Sequence, residues 1–173
     1  QTLLRISELI HRELGRVKLA VLSGPTIARE VALGIPTTAV IAAKDMRLAR
    51  QLQRIFHSEA FRIYTNSDVV GVELGGSLKI IVAIACGVCD GLGFGTNAKA
   101  AILTRGLVEM ARFGVALGAK SQTFTGLTGL GDLVTTCFSP QSRNRLVGEH
   151  LGKGISIEEI TSQMSMVAEG VPT

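Results

Sequence analysis

An α/β layer followed by an all-helical unit is the fold class this sequence predicts, and three observations carry it. Between residues 17 and 66, β-rich runs alternate with amphipathic stretches, the rhythm of a parallel sheet whose strands are joined by covering helices. Beyond Asp68 that rhythm stops and long apolar segments at helical spacing follow. The 173 residues are 46% hydrophobic and 18% charged, with 20 glycines, enough apolar side chains for a core and too few charges for a disordered chain. Residues 1–70 are expected to form the second half of a sheet domain, and residues 71–173 a helical domain.

The first helix is expected over residues 2–14, with Leu3, Ile6, Ile10 and Leu14 on one face and Gly15 as its end. Residues 17–22 read as a strand that closes on Ser23-Gly24-Pro25, and TIAREVALG as a helix ended by Gly34. Residues 37–43 are a β-branched strand, 45–57 a helix with Leu48, Leu52 and Ile55 on one face, and 61–66 a further strand. From Val72 to Cys89 no turn interrupts the apolar run, which is too long for a strand. It predicts a helix buried almost all round, with Gly75, Gly76 and Gly87 admitting close neighbours. Residues 98–118 form the clearest helix, with Asn97 as its N-cap and Gly118 at its end. Leu127, Leu130 and Leu133 mark short helical turns. Residues 142–151 are helix-like, and Ser156 with Glu159 has capping-box spacing for a last helix.

Composition excludes several functions. The net charge is +4 and its basic residues are scattered, among them Arg5, Lys18, Arg50, Lys79, Arg105 and Arg145, so no concentrated basic surface marks a nucleic-acid binder. The longest near-apolar run, residues 80–89, is too short to span a bilayer, and no secretory signal is expected. Cys86 and Cys89 have C-x-x-C spacing, but without a second ligand pair the three cysteines read as buried free thiols in a reducing compartment. His11, His57 and His150 have no ligand-like company, and no metal is expected. The chain does not open on Met and closes on VPT without a terminal element, which predicts a fragment.

Four stretches could carry chemistry. Lys79 is the sole charge between Glu73 and Asp90; it either snorkels to water or faces a cleft, where it could hold an anion or exchange a proton with an oxygen. Asp132 follows a glycine-rich turn and is either an N-cap, a partner of a ligand hydroxyl, or a partner of Lys79. Arg143 and Arg145, two apart on a helix, diverge. Arg143 with Ser142 and Asn144 at a helix start is either a solvated basic patch or a phosphate seat. Ser23-Gly24-Pro25-Thr26 lies where a strand meets a helix, the place where open sheets bind ligands, and is otherwise a plain turn. GLGFG at 91–95 lacks the preceding strand and the spacing of a dinucleotide fingerprint.

In order along the chain, LSGPTIAREVALGIPTTAV, VELGGSLKIIVAIACGVCDGLGFGTNAKAAILTRGLVEM, GLGDLVTTC and SRNR resemble the bacterial-type NAD(P)-dependent glycerol-3-phosphate dehydrogenases, over essentially the whole chain. The resemblance implies the C-terminal part of an α/β Rossmann-type domain followed by an all-α, 6-phosphogluconate-dehydrogenase-like helical domain, with the active site between them. It implies interconversion of dihydroxyacetone phosphate and sn-glycerol 3-phosphate with NAD or NADP, for glycerophospholipid synthesis in the cytoplasm. Lys79 matches the catalytic general acid or base. Gly24, Thr26, Lys79, Asp132, Ser142, Arg143 and Asn144 match substrate contacts, and Ala28, Arg143, Val167 and Glu169 match cofactor contacts. No nucleic acid and no stable membrane insertion are implied, and a homodimer is a possible assembly. The chain departs from the family at Ile80, where asparagine is usual, at Thr96, where a carboxylate is usual, and in carrying no G-x-G-x-x-G segment. A related dehydrogenase for another phosphorylated or hydroxy-acid substrate, or a non-catalytic helical scaffold, is the alternative.

Overall fold

A computed structural model of the chain describes residues 4–164 and 167–172. α1 spans Ile6–Leu14 and starts on Arg5, whose backbone N–H donates to Glu8 Oε2 at 2.9 Å. Leu3, expected on its apolar face, lies outside the described residues. On that face Ile6 and Leu14 are exposed and Ile10 is half-buried. Polar ties hold α1 instead, with Ser7 N and Arg5 Nη1 donating to the Glu73 carboxylate at 2.7 and 3.1 Å.

The sheet contains β1 (Val21–Ser23), β2 (Thr37–Ala42) and β3 (Phe61–Asn66), in that order. β2 and β3 are parallel, Thr37 facing Phe61 and Ala42 facing Asn66, joined by the crossover helix α3 (Met46–Phe56), which Asp45 caps by accepting from Arg47 N at 2.9 Å. β1 corrects the expectation of a parallel layer: it is three residues long and antiparallel to β2, Val21 facing Ala42. The reason is the connection. Between them residues 24–36 hold only the short helix α2 (Ala28–Ala32), not a long covering helix of the kind that usually joins parallel strands.

Side chains of β2 alternate across the sheet. Ala39 and Ile41 pack with Ile63 and with Ala49, Leu48 and Leu52 of α3, while the expected third member of that helical face, Ile55, is exposed. Val40 and Ala42 face the other way, onto Val69 and Val72 of α4. α4 therefore covers one sheet face and begins the helical unit. It runs Val69–Gly91, longer than the expected 72–89, because buried Asp68 caps it by accepting from Gly71 N at 2.9 Å. At 23 residues it is long and apolar enough to cross a membrane by length and composition, which corrects the reading from residues 80–89 alone. Here it is the central packing helix, and its charged Glu73 and Lys79 pair with other elements. It is not buried all round either: Ser77, Ile81 and Ala85 form an exposed stripe.

Around α4 stand α5 (Thr96–Ala116), α6 (Ser121–Phe124), α7 (Asp132–Phe138), α8 (Arg143–Gly152) and α9 (Ile157–Gln163). Their core joins Leu74, Ala83, Cys86, Leu103, Met110, Phe124, Leu133 and Cys137. Gly95, not Asn97, caps α5, and Asn97 falls in the first turn. Past its C-terminus Gly118 adopts φ +90°, the left-handed stop that glycine tolerates. The three cysteines are buried free thiols, and Cys86 meets Cys137 across the α4–α7 contact rather than Cys89 along its own helix.

α8 lies against α4 at backbone distance. A Cβ on Gly87 would fall 2.0 Å from the Arg145 carbonyl oxygen, and one on Gly148 would fall 2.0 Å from that of Ile84. The pattern expected for Gly87 therefore has its counterpart on the facing helix.

Candidate active site

Lys79 and Asp132, 53 residues apart, meet. Lys79 Nζ donates to Asp132 Oδ2 from the middle of α4, and the two side chains are 20% and 3% exposed. The lysine thus faces a buried carboxylate while its own side chain stays partly exposed. Asp132 is not an N-cap: Gly131 holds that position, and the carboxylate points across to α4.

A π-helical turn, Leu127–Gly131, delivers Asp132, with Gly131 N donating to Gly126 O at 3.1 Å. Such turns are rare and frequently serve functional sites. This one is seated by glycine contacts. A Cβ on Gly75 would lie 2.3 Å from Thr128 O, and one on Gly129 would lie 2.0 Å from Phe124 O. Larger residues would lift the turn off α4 and draw Asp132 away from Lys79. One turn into α7, Thr136 Oγ1 donates to the Asp132 carbonyl at 2.7 Å, with Asp132 Oδ1 at 3.3 Å.

The sheet unit contributes Gly24. Its φ of +141° and a Cβ position 3.2 Å from Ala39 Cα leave room only for glycine where β1 ends. Its backbone N–H supports the ionised form of Asp132. Thr26 Oγ1 donates to Gly24 O at 3.2 Å, closing the turn, and Ser23 Oγ lies against Gly76, one turn before Lys79. Burial pushes the Asp132 carboxyl above its ordinary value; the charge and hydrogen bond of Lys79, the Thr136 hydroxyl and the Gly24 amide act the other way without outweighing it. The result is a desolvated carboxylate aiming an ammonium group, at the seam between strand end and helices.

A second group forms at the start of α8. Ser142 caps it, accepting from Arg145 N at 3.3 Å. Arg143 donates from Nη1 to Val167 O at 2.7 Å and from Nη2 to Glu169 Oε1 at 2.8 Å, and Asn144 Oδ1 accepts from Gly170 N at 2.8 Å. Five of the predicted residues, Ser142, Arg143, Asn144, Val167 and Glu169, therefore gather here, while Ala28 is exposed at the start of α2. Arg145 diverges from Arg143, as two positions on a helix require, and pairs with Asp90 at 2.6 Å.

Two features were not anticipated from the sequence. Thr136 could have been noticed from its i+4 spacing to Asp132. The Asp90–Lys99–Arg145 cluster had only one local signal, a carboxylate at a helix C-terminus, where the dipole disfavours it. Burial acts to raise the Asp90 pKa, but hydrogen bonds and charges from Lys99 and Arg145 hold it below its ordinary 3.8. A carboxylate with a depressed folded-state pKa stabilises the fold above the unfolded value and loses that contribution as pH falls through the folded one. Asp90→Asn should therefore lower the Tm at neutral pH, and the two melting curves should converge below about pH 4, read by calorimetry across pH. A cavity of about 460 Å³ lies elsewhere, lined by Arg5, Ser7, His11, Lys18, Lys44 and Asp45 among others; none of the predicted site residues borders it.

A sheet's strand end that abuts helices bearing a lysine–aspartate pair places a proton-exchanging group where open α/β sheets bind their ligands, the arrangement of an enzyme site. The sequence comparisons narrow this. Residues 68–173 match the model described as NAD-dependent glycerol-3-phosphate dehydrogenase C-terminus, and residues 1–49 the one described as its N-terminus. The chain belongs to the NAD-dependent glycerol-3-phosphate dehydrogenase family. It is 55% identical to the glycerol-3-phosphate dehydrogenase [NAD(P)+] of Syntrophotalea carbinolica, over 99% of this chain and 53% of that protein. It is 51% identical to that of Clostridium perfringens, over 98% of this chain and 51% of that protein. The crystal structure of glycerol-3-phosphate dehydrogenase from Coxiella burnetii superimposes with a TM-score of 0.93 at 46% identity, over 96% of this chain and 51% of that one. The chain thus spans about half the length of the relatives it matches.

Proposed function

We propose that this chain carries the substrate-binding half of an NAD(P)-dependent glycerol-3-phosphate dehydrogenase, interconverting dihydroxyacetone phosphate and sn-glycerol 3-phosphate. The observation that carries the reading is the Lys79–Asp132 pair beside the Gly24 turn. When bound, NAD or NADP supplies or accepts the hydride. Lys79 as ammonium gives its proton to the substrate carbonyl oxygen during reduction, and as the neutral amine takes the hydroxyl proton during oxidation. Asp132 aims the ammonium group and is itself held by Thr136 and Gly24. Gly24 and Thr26 line the glycerol end, and Ser142, Arg143 and Asn144 receive the phosphate, an anion matched by a guanidinium at a helix start.

On the cofactor, the residues present fit an edge contact. Arg143, with its side chain 36% exposed, is held by Val167 and Glu169 so that its planar fork stays at the surface; Ala28 supplies a small exposed neighbour at the start of α2. Three free thiols suit a cytoplasmic setting, and a homodimer without nucleic-acid or membrane partners, working in glycerophospholipid synthesis, completes the reading.

The test uses the whole protein and follows loss of reduced-nicotinamide absorbance. NADH or NADPH should be consumed with dihydroxyacetone phosphate and not with unphosphorylated dihydroxyacetone. Equal rates with both ketones would remove the phosphate seat. No turnover with either, from folded protein, would favour a scaffold role.

A further inference from the structure

The charge cluster centred on Asp90 lies outside the lysine–aspartate pair, yet it touches the segments that frame the proposed phosphate seat. Asp90 sits in the last turn of α4, at the negative end of the helix dipole. Lys99 and Arg145, with side chains only 11% and 12% exposed, each reach it at 2.6 Å. Neither cation is a simple counter-charge. Lys99 Nζ also lies 4.8 Å over the ring of Phe138, the last residue of α7. Arg145 Nε donates to Ser139 O at 3.1 Å, its backbone N–H donates to Ser142 Oγ at 3.3 Å, and its Nη1 lies 3.2 Å from Glu149 Oε2. Ser139 closes α7 and Ser142 opens α8. Of the two cations on Asp90, Arg145 therefore grips the residues that join the two helices, and Lys99 the last residue of α7 before them.

We infer that Asp90 is a positioning residue for phosphate: through Arg145 and Lys99 it fixes the 139–142 turn, and with it the Ser142–Arg143–Asn144 segment. The inference rests on the reading of that segment as the phosphate seat. Packing alone does not account for the arrangement. The glycine contacts of Gly87 and Gly148 set the distance between the α4 and α8 backbones, but they do not touch the turn. Its Ser139 carbonyl is held by Ser142 N at 3.2 Å and by the Arg145 guanidinium, and that guanidinium is oriented by Asp90. With a neutral amide at position 90, Arg145 would be free to swing toward Glu149 alone and release Ser139.

The experiment uses the whole protein with two variants, Asp90→Asn and Arg145→Lys. The second keeps a positive charge but loses the Nε arm that holds Ser139. KM for dihydroxyacetone phosphate, kcat, and Kd for inorganic phosphate by titration calorimetry are measured for each. Both variants are expected to raise KM and the phosphate Kd about tenfold while kcat changes less than about threefold, as for a misplaced binding group remote from the chemistry. A fall in Tm with unchanged KM and phosphate Kd in the folded protein would show a purely structural cluster and overturn the inference. If Asp90→Asn does not fold, Arg145→Lys decides by the same readouts. If the parent protein binds phosphate without turning over dihydroxyacetone phosphate, the proposed reaction fails and the phosphate Kd of the variants still decides. A parent protein that binds no phosphate overturns the positioning role as well.

Discussion

Replacing Lys79 by methionine in the whole protein should lower kcat for dihydroxyacetone phosphate reduction by about 100- to 10,000-fold, the range that a positioned general acid contributes. Methionine keeps the apolar stem that runs along α4 and removes the ammonium group, so the loss reports proton transfer and charge rather than packing. Asp132 would retain Thr136 and Gly24 but lose its strongest opposing charge, leaving burial to push its carboxyl further up. Its negative charge should then be absent over a wider pH range, and the acid limb of any residual activity should move upward. Steady-state kinetics beside a melting curve separates the two effects. A variant that melts normally and keeps more than about a tenth of the parent turnover would place the proton donor on another residue.

The second large effect concerns stability. Gly148→Ala places a methyl group 2.0 Å from the Ile84 carbonyl oxygen, and that oxygen belongs to a helical backbone that cannot rotate aside. α8 must move off α4. Overpacking costs about 1–3 kcal/mol and this site belongs at the upper end, which corresponds to a Tm lower by roughly 6–12 °C for a unit of this size. The displaced helix carries Ser142, Arg143 and Asn144, so KM for the phosphorylated substrate should rise in the surviving folded protein. Gly95→Ala is the control: nothing lies within 4 Å of its Cβ position and its φ is −77°, so its Tm should stay near the parent value. Equal melting of the two variants would mean that the helices do not approach as described.

Much of the helical half was legible residue by residue. Ser156 caps the helix its spacing indicated, accepting from Glu159 N, and Ser142 caps the helix expected to start there, accepting from Arg145 N, because a cap needs only its own next turn. Gly118 stops α5 for the same local reason. The misplaced cap at Asn97 and the short α1 show the limit. Element ends depend on which nearby group captures the free N–H bonds, and α1 is held by Glu73, a residue of another helix.

By itself, the sequence determined the helical character of residues beyond Asp68, the strand and crossover pattern of β2, α3 and β3, the divergence of Arg143 from Arg145, and the short list of residues able to carry chemistry. These follow from side-chain period, chain stereochemistry and residue type, all of which act within a few positions. Only the tertiary structure decided that β1 runs antiparallel, that Lys79 is paired with Asp132 rather than snorkelling, that Arg143 holds the 167–169 segment, and that Asp90 ties α4 to the turn before α8. Apart from the β1 reversal, each of these joins groups 24 to 55 residues apart in the chain. Local preference cannot specify such partners. Close glycine contacts between helices and the cost of leaving a buried charge unpaired select them.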